Sequence, residues 1–157
     1  MRAVVQRVGA AEVGVDGEVV GRISAGLVVF LGVGPQDDER TARHLAGRVA
    51  TLRVFPDATG RMNLSVSQTD PPGGVLVVSQ FTLYADASRG HRPSFIGAGP
   101  AELAARLCDV FCEALLTAGI AVAGGRFGAR MRVGVVNDGP VTVVLSSGEP
   151  PWPADAG

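Results

Sequence analysis

The sequence predicts a single α/β domain, and three observations carry that prediction. Two apolar runs, GLVVFLGV at 26–33 and VLVV at 75–78, have no polar break and suit strands buried on both faces. Two other segments, running to about 51 and from 100 to 119, repeat apolar residues at helical spacing instead. Turn signals rich in Gly, Pro, Asp and Asn separate these pieces. A chain of 157 residues with 46% hydrophobic and 18% charged residues is long enough for one proper core and is not of disordered composition.

Taken in order, residues 3–23 read as a hairpin. Val13 and Val15 alternate with polar or small neighbours, and Asp16-Gly17 is a strong two-residue turn signal. The run at 26–33 follows as a central strand. GPQDD then punctuates the chain and supplies a helix N-cap in Asp37 or Asp38. The helix that follows buries Ala42, Leu45, Ala46 and Val49, with His44 on its flank. Residues 52–55 read as a short strand, and 56–74, rich in Pro, Gly, Asp and Ser, as an irregular excursion around RMNLS.

The strand at 75–79 comes next, then a loop at 86–95. Pro100 opens a second helix at its first turn and Gly119 closes it. Leu103, Leu107, Val110, Phe111 and Ala114 form its apolar face; Glu102, Arg106, Asp109 and Glu113 form the other. Cys108 and Cys112 sit beside the apolar face without the further ligands a metal would need, and read as core thiols. A strand at 121–123, a GGRFGA turn and the strand MRVGVVN follow. Asn137-Asp138-Gly139-Pro140 reads as a turn, after which 141–145 returns as a strand. On general grounds the Gly139–Pro140 bond is expected to be trans.

Charge and composition exclude several functions. The formal net charge is −1, so no broad basic field drives bulk nucleic-acid binding. All 14 basic residues are arginine, which rules out Schiff-base lysine chemistry and a P-loop lysine. Arginine still suits phosphate and ribose contacts, and Arg89 with Arg92, and Arg126 with Arg130 and Arg132, form two small groups. No stretch approaches the roughly 18 apolar residues that span a bilayer. No signal peptide is evident, and a soluble cytoplasmic protein is the expectation.

The strand at 75–79 ends in Ser79, Gln80 and Thr82, with Phe81 between them. Small polar groups at the end of a rigid strand are a common way to hold a site still. They can equally tie up loop backbone, and from these residues alone both readings stand. His91 is the histidine nearest in sequence to this strand end, but without a GxSxG elbow or an orienting acid a serine–histidine hydrolase is disfavoured.

The opening MRAVVQRV, then GLVVFLGV, RMNLS, VVSQFTLYAD, RPSF and FGARMRVGVVNDGPVT fall in one order and spacing. In these the chain resembles the D-aminoacyl-tRNA deacylases of the bacterial and eukaryotic type, SQFTL and GPVT together being the most specific part. The resemblance implies a compact single α/β domain of two packed β-sheets with helices on one side. That domain covers residues 1–147, and 148–157 form a Pro- and Gly-rich tail containing Trp152.

The implied activity is hydrolysis of the ester bond of D-aminoacyl-tRNA, and of mischarged glycyl-tRNA, at the acceptor end, releasing free tRNA. The implied assembly is a homodimer whose active sites are completed across the interface, with no cofactor, no metal and no membrane. Ser79, Gln80, Phe81 and Thr82 match the family's SQxT motif, which lines the aminoacyl pocket, and the Phe81–Thr82 backbone is expected to stabilise the oxyanion. Gly139 and Pro140 match its Gly-cisPro motif, which reaches into the other subunit's site and rejects L-amino acids. Here the resemblance implies a cis bond and reverses the general expectation. Phe127 and Met131 match positions that hold the terminal adenosine. Arg130 departs from the family pattern. Two alternatives remain open: a dimeric module that binds a nucleotide or tRNA end without hydrolysis, and a deacylase for L-alanyl- or glycyl-tRNA with a trans bond.

Overall fold

The computed structural model describes residues 1–88 and 90–147; Arg89, the tail at 148–157 and its Trp152 lie outside the described residues. β1 (Arg2–Val15) and β2 (Glu18–Ile23) form the expected hairpin. Asp16 and Gly17 at its tip have φ of 52° and 88°, the positive values that a tight two-residue turn demands. β3 (Gly26–Gly32) pairs antiparallel with the first half of β1 and parallel with β6 (Gly74–Ser79), which in turn pairs parallel with β7 (Ala121–Gly124). β8 (Arg132–Ser146) runs antiparallel along the other edge of β1. The resulting six-stranded sheet has the order β2-β1-β3-β6-β7 with β8 on β1, and β4 (Phe55–Pro56) with β5 (Met62–Leu64) makes a small second sheet.

The apolar runs are unbroken because both faces of their strands are buried, against different partners. Leu27, Val29 and Leu31 of β3 and Val75 and Val77 of β6 join one core, shared with α1 (Glu39–Ala50) and α2 (Ala101–Thr117) through Leu45, Val49, Leu107 and Phe111. Val28, Leu76 and Val78 point the other way, into a second cluster with Val8, Val13 and Ile23, against which Met131 and Val133 pack. That second cluster exists because the sheet curls over itself. β2 comes so near β7 that a Cβ on Gly21 would stand 2.4 Å from the Gly124 carbonyl oxygen. The packed layers are thus parts of one hydrogen-bonded sheet, with β1 long enough to serve both, and the two helices cover one side.

Asp38, not Asp37, caps α1: its carboxylate accepts from the Thr41 hydroxyl at 2.6 Å and from the Thr41 N–H at 2.7 Å, which together hold the Asp38 pKa below its ordinary value. Ala42, Leu45, Ala46 and Val49 are buried as expected, and His44 is exposed. Pro100 stands one position earlier than expected, as the N-cap of α2, and Gly119 ends the helix with φ of 78°.

Three expectations need correction. The strand at 52–55 shrinks to β4, which begins only at Phe55. The excursion at 56–74 is ordered: it contains β5 and a 3₁₀ turn at Val66–Gln68 whose Ser65 and Val66 are buried. Residues 137–140 are not a chain reversal. Thr142 pairs with Gln6 and Asn137 with Val8, so residues on both sides of the segment stay on β1 and the intervening 138–141 bulge opposite Arg7. Asn, Asp, Gly and Pro favour a turn locally, but one continuous partner strand carries the chain past it. The Gly139–Pro140 bond is cis, against the general expectation and as the resemblance implies.

Candidate active site

A cleft of about 510 Å³ opens where β6 ends. Ser79 is still paired with Leu31, and Gln80 donates its N–H to the Leu31 carbonyl at 2.8 Å, so the strand is fixed to its last residue. The chain then winds into a 3₁₀ turn at Phe81–Tyr84. The N–H groups of Phe81 and Thr82 open this turn and have no acceptor within it. One wall of the cleft is the start of α2, where Ala101, Ala104 and Cys108 present only small side chains. The opposite wall is the connection between β7 and β8, which brings Phe127 and Met131. Met131 lies so close over Gly125 that a Cβ there would meet its sulfur at 2.3 Å.

Two aromatic rings, Phe81 and Phe127, line the cleft, and a third packs against the first. Phe81 is 57% exposed and meets Phe95 edge to face, with ring centroids 5.2 Å apart; Phe127 is 43% exposed. Exposed rings around an apolar cleft offer faces on which a nucleobase stacks.

The chain is similar in sequence and fold to known proteins. The family model for D-Tyr-tRNA(Tyr) deacylase covers residues 4–146. The D-aminoacyl-tRNA deacylase of Roseiflexus sp. (strain RS-1) is 58% identical over 147 residues, 94% of each chain. That of Syntrophobacter fumaroxidans is 54% identical over 147 residues, 94% of this chain and 97% of its own. The chain belongs to the D-Tyr-tRNA(Tyr) deacylase family. Solved structures agree: one named c-Myc DNA Unwinding Element Binding Protein matches with a TM-score of 0.86 and 38% identity over 95% of this chain and 100% of its own. A probable eukaryotic D-amino acid tRNA deacylase, at 19% identity and a TM-score of 0.80 over 92% of this chain and 97% of its own, shares the fold.

In this member of the family, Ser79, Gln80, Phe81, Phe127 and Met131 meet in one cleft. Thr82 does not line it, but its hydroxyl accepts from the Gln80 side-chain amide, so Gln80 is oriented by Thr82. Gly139 and Pro140 are exposed on the bulge of β8 and do not line the cleft. His91 is exposed in its loop, and no hydrogen bond joins it to Ser79 among the described residues. Arg130 is exposed on the far side of Met131.

Four residues at or behind the site escaped the sequence reading. Arg7 holds the bulge: its Nε donates to the Asp138 carbonyl at 2.9 Å, and its Nη1 to the Val54 carbonyl at 2.6 Å. Arg2, Asp37 and Tyr84 gather behind the 3₁₀ turn. The one sequence signal for Arg7 is a charge breaking an apolar strand; the other three carry none, because their partners are distant in sequence.

Cys108 faces the cleft but is no nucleophile at neutral pH. Burial, with Cys112 and Asp109 nearby, pushes its pKa up to about 12, and burial with the neighbouring acids pushes Cys112 to about 11. The native protein is therefore expected to react with iodoacetamide at pH 8 at least about tenfold more slowly than free cysteine does. Alkylation as fast as that of the unfolded chain contradicts this assignment.

Proposed function

We propose that the chain is a deacylase that hydrolyses the ester bond of D-aminoacyl-tRNA and releases free tRNA and the D-amino acid in the cytoplasm. The observation that carries the reading is the rigid strand end, with two N–H groups that have no acceptor within the 3₁₀ turn, at a cleft with aromatic side chains, in a chain 58% identical to a D-aminoacyl-tRNA deacylase. The terminal adenosine rests on Phe127 and Met131, and the aminoacyl group lies along Ser79–Thr82. Water adds to the ester carbonyl carbon, and the Phe81 and Thr82 N–H groups stabilise the oxyanion, an effect worth about 3 kcal/mol for one well-placed donor. The carbon–oxygen bond to the ribose then breaks, and the leaving 3′-oxygen takes a proton, with the adjacent 2′-hydroxyl assisting. An ester is already activated, so no protein nucleophile is required, and Thr82 positions Gln80.

Selection of the D-form is assigned to Gly139 and Pro140 of the partner subunit in a homodimer. The exposure of that segment and its absence from the lining of its own cleft support the reading. Main-chain carbonyls that anchor the α-amino group leave room for a D side chain pointing outwards and drive an L side chain into backbone. Glycine has no side chain to collide, so glycyl-tRNA is a substrate on this reading.

The test compares amino-acid release from D-tyrosyl-tRNA and L-tyrosyl-tRNA with a chelator present. Loss of the D-ester alone is expected. Loss of both leaves the hydrolase and removes the proposed gate. Loss of neither, with tRNA still bound, makes the protein a binding module.

A further inference from the structure

The 3₁₀ turn at Phe81–Tyr84 is fixed at both ends, and the far end is fixed by groups outside the cleft. At the near end, Gln80 is hydrogen-bonded to β3 through the Leu31 carbonyl. At the far end, the Arg2 guanidinium donates from Nη1 to the Leu83 carbonyl at 2.8 Å and lies 4.4 Å from the centre of the Tyr84 ring. The Tyr84 hydroxyl donates to Asp37 Oδ2 at 3.3 Å, and the same oxygen accepts from the Gly34 N–H at 2.7 Å. Asp37 Oδ1 meets the α-amino group of Met1, so the carboxylate is held on both oxygens. Burial, together with the Asp37 charge, keeps the Tyr84 phenol protonated and therefore a donor.

Close packing leaves the turn nowhere else to go. A Cβ on Gly32 would stand 3.0 Å from the Gln80 carbonyl oxygen and 3.1 Å from Leu83 Cβ, and one on Gly34 would stand 2.9 Å from the Tyr84 hydroxyl. The turn therefore lies directly on bare backbone, and Arg2, Asp37 and Tyr84 clamp its end against that floor. Helix capping does not account for Asp37, since Asp38 caps α1.

We propose that Arg2, Asp37 and Tyr84 form a positioning clamp that sets the direction of the Phe81 and Thr82 N–H groups toward the reacting carbonyl. This rests on the reading of those groups as the oxyanion donors. None of the three clamp residues lines the cleft; they act through the turn. Donors aimed at a developing charge lose effect steeply with small displacements, so loosening the far end lowers turnover without lowering affinity for the tRNA end, which other residues hold.

The test uses Tyr84→Phe, which removes one hydroxyl, and Arg2→Met beside Arg2→Lys, which retains a donor for the Leu83 carbonyl. Arg48→Met is the matched control, because Arg48 also donates to a carbonyl, that of Ser146 at 2.6 Å, away from the turn. On D-tyrosyl-tRNA, Tyr84→Phe and Arg2→Met are expected to lower kcat about tenfold with KM unchanged. Arg2→Lys restores part of the loss, and Arg48→Met matches the parent. Without substrate, hydrogen exchange at the Leu83 and Ala85 amides, which the turn bonds to the Gln80 and Thr82 carbonyls, quickens about tenfold in the same two variants and not in Arg48→Met. Unchanged exchange overturns the clamp whether or not the parent protein hydrolyses the ester. Quickened exchange in an inactive parent upholds the clamp and removes the deacylase reading. A kcat loss that follows thermal stability equally in all variants, Arg48→Met included, also overturns it.

Discussion

Replacing Gly139 by alanine is expected to cut hydrolysis of D-tyrosyl-tRNA by about 100-fold. A Cβ at this position would stand 2.2 Å from the Val141 backbone nitrogen and 3.0 Å from the Asn137 side-chain amide. Backbone cannot yield as a flexible side chain can, so the bulge must open and the Gly139 and Pro140 carbonyls turn away. The flanking residues keep their pairing with β1, Asn137 with Val8 and Thr142 with Gln6, so the damage stays local. The melting temperature is therefore expected to remain within about 4 °C of the parent. Side-by-side rates on D- and L-tyrosyl-tRNA, with a melting curve, check this. If the D-rate survives while the L-rate rises, Gly139 rejects the wrong isomer without aiding turnover. If both rates match the parent, the segment has no part in the site.

The largest expected loss of stability follows Phe111→Ala. Phe111 is the bulkiest of the fully buried side chains and fastens α2 to the helix-side core. Truncation removes its transfer energy and leaves a cavity that the helices and sheet fill only in part, at a cost of about 3–5 kcal/mol. A domain of this size has about 5–15 kcal/mol in total, and the melting temperature should fall by roughly 10 °C. Because α2 also supplies the Ala101–Cys108 wall of the cleft, activity should decline at temperatures well below the midpoint. Urea denaturation followed by circular dichroism gives the stability, and a shift under 1 kcal/mol contradicts the core assignment.

What the sequence revealed followed from how local each signal is. Asp16-Gly17 named its own turn because two residues with positive φ suffice to make one. The helical stripes named their buried faces because the partners on each stripe are three or four residues apart. Val75–Val78 showed burial on both faces but not that the faces belong to different cores, because the curl of the sheet depends on β2 meeting β7. Asn137–Pro140 misled for the same reason: its composition is that of a turn, and the strand that holds it straight lies some 130 residues earlier. Ser79, Gln80, Phe81, Phe127 and Met131, which line one cleft, were singled out through motifs. Arg2, Arg7, Asp37 and Tyr84 were not, since ordinary residue types become informative only beside their partners.

The pairing of β1 with β8 also sets the order in which the molecule can be completed. Arg2 lies opposite Ser146 and Gly14 opposite Arg132, so β1 waits for its outer neighbour until the far end of the domain exists. At a synthesis rate of about 5–20 residues per second, the 100 or so residues between β3 and β8 take roughly 5–20 s to emerge. Through that interval the nascent chain carries an open strand edge, the kind of surface on which chains stick to one another. Gly139 and Pro140 arrive within the strand that closes this edge. The segment assigned to selecting substrate is thus set in place by the same event that makes the newborn chain safe from its neighbours.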